Sequence, residues 1–150
     1  MNLKNVNHIN QMRRLRLPSN KVLIIGSGTL ALLGLKRNDD LDLWVTDDLF
    51  KTLDKYKDLV PVKKFGRLFY KTKDGNIEMS NTIPCTKGGI KDYLKRAIIV
   101  YGIHFKSVDD VIAWKKCMGR PKDLKHIKML EKFKKNNVVE NYLKVLEMLK

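Results

Sequence analysis

This chain of 150 residues is short of cysteine, of long apolar runs and of acid. Its two cysteines, Cys85 and Cys117, stand apart without the Cys or His neighbours of a metal site. They are expected as reduced thiols in a cytosolic protein. No apolar run approaches the roughly 20 residues that cross a bilayer, and the first residues lack the apolar stretch of a signal peptide. Neither a membrane span nor export is therefore expected. No repeat, low-complexity tract or disordered linker divides the chain, and 150 residues leave room for one domain with a real core. Asp and Glu number only 16 against 31 Lys and Arg, for a net charge of +15.

What is present is concentrated in residues 26–43. An apolar strand, Val22 to Ile25, runs into Gly26-Ser27. Twelve residues later comes the acidic alternation Asp40-Leu41-Asp42-Leu43. Residues i and i+2 of a strand share a face, so Asp40 and Asp42 point the same way with Cα atoms roughly 6.5–7 Å apart. Leu41, Leu43 and Val45 point to the core. Two like charges side by side on a half-buried strand repel and lose hydration. A divalent cation offsets both costs, and oxygen-only ligands favour Mg²⁺, or Mn²⁺, over zinc. A two-metal site would suit in-line displacement at phosphorus. Gly26 lets a phosphate approach the backbone, and Ser27 heads a helix expected over 27–36 whose N–H groups and dipole attract anions. No Gly-Lys-Ser/Thr follows, so this is not a Walker loop.

Periodicity and capping signals supply the other elements. A helix is expected over 2–16 and strands over 21–26 and 41–46. Thr46-Asp47-Asp48 opens a helix. A strand over 59–64 holds Pro61, which marks an edge. Strands over 67–72 and 76–80 flank a turn at Asp74-Gly75. Glu78 lies on the second of these, on the face opposite Ile77 and Met79, which makes it a third carboxylate for the Asp40/Asp42 face. After a loop over 82–89 come a helix at 90–97, a strand at 98–101, and a helix at 108–118 capped by Ser107-x-x-Asp110. The buried stripe of that last helix is Val108, Val111, Ile112 and Trp114. Two further amphipathic helices are expected over 122–134 and 138–149. His104 and His126 are expected to be structural or exposed, and Trp44 to sit in the core or at its rim.

Basic residues cluster as well. Residues 113–135 carry nine (Lys115, Lys116, Arg120, Lys122, Lys125, Lys128, Lys132, Lys134, Lys135) against two acids. Such a field attracts polyanions and speeds their encounter.

Gly26-Ser27 followed by Asp40-Leu41-Asp42-Leu43 resembles the signature of the DNA polymerase β-like nucleotidyltransferase superfamily. Residues 107–130, with Asp110, Lys115 and Arg120-Pro-Lys122-Asp123, resemble the C-terminal segment of its small bacterial members: the minimal and toxin-type nucleotidyltransferases of toxin–antitoxin systems, and small antibiotic nucleotidyltransferases. The resemblance spans most of 20–133. It departs at His126, where the family often has a second Asp.

The resemblance implies an α/β (α+β) fold: a small mixed sheet with helices on one face, a core over about 20–105 and a helical C-terminal part over about 106–150. It implies transfer of a nucleoside monophosphate from an NTP to an acceptor hydroxyl. Asp40 and Asp42 would hold Mg²⁺, and Glu78 would serve as a further ligand or as the base. Gly26, Ser27, Lys115, Arg120 and Lys122 would contact the nucleotide, with Asp123 holding one of these cations by an ion pair. RNA, such as a tRNA end, is the expected acceptor, and an antitoxin a further partner. A protein or small-molecule hydroxyl is the alternative acceptor. An inactive nucleic-acid-binding module is the alternative from another class, against which the intact Asp pair argues. A cytoplasmic location is expected.

Overall fold

The computed structural model describes residues 3–135 and 147–149. Thirteen main elements follow one another in it: α1 (Leu3–Arg14), β1 (Val22–Ile25), α2 (Gly28–Leu32), β2 (Leu41–Val45), α3 (Asp47–Phe50), β3 (Leu59–Lys64), β4 (Arg67–Thr72), β5 (Ile77–Ser80), α4 (Ile90–Arg96), β6 (Ile98–Val100), β7 (Ile103–Phe105), α5 (Val108–Met118) and α6 (Pro121–Lys135). The helix expected over 138–149 lies outside the described residues apart from 147–149. The strands form one mixed sheet in the order β3-β4-β5-β2-β1-β7-β6. The β2/β5 and β1/β7 pairs are parallel and the other pairs antiparallel. The fold is α+β.

Alternation along the strands assigns the two faces. Val22, Ile24, Leu41, Leu43, Val45, Ile77 and Met79 pack beneath Ile9 and Met12 of α1, Leu15 just after it, and Leu49 and Phe50 of α3. The opposite face is not bare. Leu23, Ile25 and Trp44 are covered by Tyr93 of α4. α1 and α3 hold one face, and α4 covers part of the other. A third cluster joins Leu30 and Leu33 to Val111, Ile112, Ile127, Leu130 and Phe133, which anchors the α5/α6 pair beside α2.

Local signals account for several boundaries. The Thr46 hydroxyl accepts from the Leu49 N–H at the start of α3, and the Ser107 hydroxyl from the Asp110 N–H at the start of α5. Pro61 lies on β3, which is an edge strand as expected. Two boundaries differ. The helix expected over 27–36 stops at Leu32. The strand expected over 98–101 is a hairpin, β6/β7, reversing at Tyr101-Gly102. Each of its strands has three residues, too few for alternation to stand out.

Candidate active site

Gly26 ends β1, and Asp42 is the register partner of Ile25 beside it. The backbone at Gly26 is left-handed, with φ +65°, and a Cβ built there would stand 2.9 Å from Asp42 Oδ2. Glycine is required at this position on both counts. On the other side of Asp42 the parallel pairing of β2 with β5 sets Glu78 directly opposite. Asp40 precedes β2 and is exposed. Asp40, Asp42 and Glu78 line one open cleft of about 400 Å³, together with Gly26, Lys64, Phe65, Arg67, Phe69, Lys106, Trp114 and Arg120.

The three carboxylates affect one another. Loss of hydration raises the Asp42 pKa to about 6, and the charges of Asp40 and Glu78 push in the same direction, against Lys64 and Lys122. Lys64 holds Glu78 directly, with its Nζ 2.7 Å from Oε1 and 2.8 Å from Oε2. Lys122 is exposed on the first turn of α6.

The remaining expected residues divide into two groups. Arg120 lines the cleft, and Asp123 grips it from behind: Arg120 Nε lies 2.7 Å from Asp123 Oδ2 and Nη2 lies 3.1 Å from Oδ1. Asp123 is fully buried. Burial pushes its pKa up, but the Arg120 hydrogen bonds and the Lys115 charge bring it to about 2. The expected ion pair is thus present.

Lys115 corrects an expectation. It is buried and does not line the cleft; its ammonium turns to Asp123 Oδ1 at 3.4 Å and His126 Nδ1 at 2.9 Å. Burial lowers its pKa. His126, desolvated and beside that ammonium, falls to about 4, so it is neutral and its Nδ1 accepts from Lys115. In this arrangement Lys115, itself held by His126, braces Asp123, and Arg120 is the cation of the segment that lines the cleft.

Ser27 is the N-cap residue of α2, but its side chain makes no capping bond; Lys36 Nζ lies 3.4 Å from its hydroxyl. With α2 only five residues long, the expected dipole contribution is small. Trp44 is buried, with its ring centroid 5.2 Å from that of Tyr93 and its Nε1 donating to the Asn81 carbonyl. Trp114, expected in a buried stripe, instead lines the cleft and donates from Nε1 to the Pro84 carbonyl.

Lys106 escaped sequence reasoning. It follows β7 and is 2% exposed. Its N–H donates to the Ile24 carbonyl and its own carbonyl accepts from Thr29 Oγ1. The ammonium lies 5.3 Å from the Tyr93 ring centroid and 5.4 Å from that of Trp114, and the residue lines the cleft. Burial lowers its pKa to about 8. The alternation Ile103, His104, Phe105, Lys106 was the available signal: apolar positions facing the core and a lysine at the next opposite-facing position.

The cysteines are a second correction. Cys85 and Cys117 are bonded, with Cα atoms 5.9 Å apart. The bond ties the loop carrying Ile83 and Pro84, both cleft-lining residues, to α5. The thiols are therefore not separate and reduced in this structure.

Among the described residues no group of three or more Asp, Glu, His and Cys side chains forms a ready metal cage. The donor set still fits Mg²⁺, which is ordinarily held by one or two carboxylates with waters and substrate phosphates completing the shell. Asp40 and Asp42 supply such a pair, and the Asp42 carboxylate, disfavoured first by burial and then by Asp40 and Glu78, is one that a cation would stabilise. No helix among the described residues is long and apolar enough to cross a membrane.

No family model, curated protein or solved structure matches the chain.

Proposed function

We propose that the chain is a metal-dependent nucleotidyltransferase of the polymerase β-like type, transferring a nucleoside monophosphate from an NTP to an RNA hydroxyl, such as a tRNA end. The observation that carries this reading is the composition of the cleft. Asp42, buried and beside Asp40 and Glu78, shares the cleft with Lys64, Arg67, Lys106 and Arg120. Acids and cations lining one cleft suit a cation and a polyphosphate bound side by side.

Asp40 and Asp42 would hold Mg²⁺, one ion or two, which neutralises phosphate charge when bound. Gly26 leaves room for a phosphate beside Asp42. Lys106 and Arg120, which line the cleft, would take the oxygens of the departing pyrophosphate, with Lys122 nearby. The acceptor oxygen bonds to the α-phosphorus while the bond from that phosphorus to the β-phosphate oxygen breaks. The hydroxyl proton passes to Glu78 or to water. Positioning and charge neutralisation supply most of the acceleration.

RNA as acceptor is supported by the net charge of +15 and by the basic run over 113–135. The toxin–antitoxin setting, with an antitoxin as partner, rests on the sequence resemblance in residues 26–43 and 107–130. Use of an NTP supports a cytoplasmic location for the working enzyme.

Incubation with each labelled NTP, Mg²⁺ and cell extract tests the reading. Label is expected in RNA, from one preferred NTP, and Asp42→Asn abolishes it. Labelling that survives Asp42→Asn sinks the metal-site mechanism; label in protein moves the acceptor to another class.

A further inference from the structure

The β3–β4 hairpin ends in a two-residue turn, Phe65-Gly66, closed by the register partners Lys64 and Arg67. Both turn residues have positive φ, +53° at Phe65 and +69° at Gly66. Such a turn favours Asn or Asp before Gly, and a bulky residue in the left-handed region is disfavoured. Phe65 is also 86% exposed, so its ring gains little from burial. Neither the backbone nor the core explains phenylalanine at this position. A side chain that breaks local rules without structural gain is expected where it does something else.

Its surroundings indicate what. Phe65 sits at the mouth of the cleft that holds Asp40 and Asp42. Lys63 is exposed beside it. Lys64 Nζ lies 6.0 Å from its ring centroid, and Arg67 stacks over Phe69 just inside at 4.9 Å. An exposed ring among cations, at the rim of a phosphate-binding cleft, combines the two contacts used to hold unpaired nucleic acid: stacking on a base and attraction to the backbone. A second copy of this chain, itself at +15, is disfavoured at a tip flanked by Lys63, Lys64 and Arg67.

We infer that the Phe65 tip is the acceptor clamp, in which the ring stacks on an unpaired base of a single-stranded nucleic acid while the cleft cations hold its backbone, feeding the strand end to Asp42. The inference rests on the nucleotidyl-transfer reading and narrows its acceptor to an unpaired end.

Binding of the full chain to fluorescent single-stranded RNA, single-stranded DNA and duplex of one length, without nucleotide or divalent metal, tests it. Phe65→Asn and Phe65→Ala are expected to weaken single-strand binding on the order of tenfold, as loss of one stacked base would. Phe65→Trp retains it. The salt slope is unchanged, because no phosphate contact is removed. Phe65→Asn melts no lower than wild type, since Asn suits the turn. Equal losses on RNA and DNA assign the contact to the base; a loss on RNA alone assigns part of it to the ribose. The inference falls if wild type binds no single strand, if Phe65→Asn and Phe65→Ala bind as wild type does, or if duplex loses as much as single strand. If labelling of RNA fails while Phe65-dependent binding persists, the reaction is wrong and the clamp stands. If labelling succeeds without Phe65 dependence, the clamp alone is wrong.

Discussion

Asp42 on β2 and Glu78 on β5 are register partners in a parallel strand pair, 36 positions apart in sequence and side by side on one face of the sheet. Lys64, from the hairpin that precedes β5, bonds both oxygens of Glu78. The acid cluster is thus partly offset by a cation from β3, two strands away from β5 in the sheet.

The Asp42 carboxyl sets a trade between stability and activity. Its pKa in the fold, about 6, lies above the ordinary carboxylate value of 3.8. The fold therefore favours the protonated form. Stability linked to this group is complete below about pH 4 and is lost as the pH rises through 6. Asp42→Asn removes that cost and is expected to stabilise the protein by about 2 kcal/mol at pH 8, discounted for partial exposure, and by almost nothing at pH 4. Mg²⁺ raises the melting temperature of wild type and not of the variant. Thermal melts at the two pH values, with and without Mg²⁺, read both effects; a variant less stable than wild type at pH 8 contradicts the picture.

Lys106 lines the cleft, and the proposed reaction gives it an anion to bind there. Desolvation brings its pKa to about 8, with Lys115 lowering it further and Asp110 opposing. The ammonium is charged at pH 7 and largely neutral by pH 9. Affinity for inorganic triphosphate is expected to fall several-fold across that interval in wild type, and Lys106→Gln is expected to show weak binding at both values. Calorimetric titration at pH 7 and pH 9 checks this; a Gln variant that retains the wild-type pH dependence rules Lys106 out.

The Cys85–Cys117 bond closes a loop with a sequence separation of 32. Closure of a loop that size stabilises by about 2–4 kcal/mol. Reduction is expected to lower the melting temperature and to loosen Ile83 and Pro84 over the cleft. Cys117→Ser should match reduced wild type and show no response to reductant. Melts with and without dithiothreitol, with mass spectrometry for the free thiols, decide whether the bond forms in the protein as isolated.

Much of the sheet was legible because its signals are local. Alternation placed Leu41, Leu43 and Val45 in the core and Asp42 opposite them, and the same rule put Glu78 opposite Ile77 and Met79. Thr46 and Ser107 announced their helices by side-chain chemistry that acts within three residues. Pro61 marked an edge because it cannot donate to a neighbouring strand. The three-residue strands of the β6/β7 hairpin carried too little pattern, so Lys106 was not seen to face the cleft.

Sequence alone therefore determined which residues share a face within one strand and where helices begin, because those depend on backbone period and on contacts between near neighbours. Tertiary structure decided what depends on residues distant in the chain: that β5 lies parallel beside β2, that Lys115 turns onto Asp123 and His126 and away from the cleft, that Arg120 reaches it, that Cys85 meets Cys117, and that Phe65 stands exposed at its mouth. A side chain's chemistry comes from its type, but its electrostatic environment is the sum of charges and burial contributed by every strand and helix packed around it.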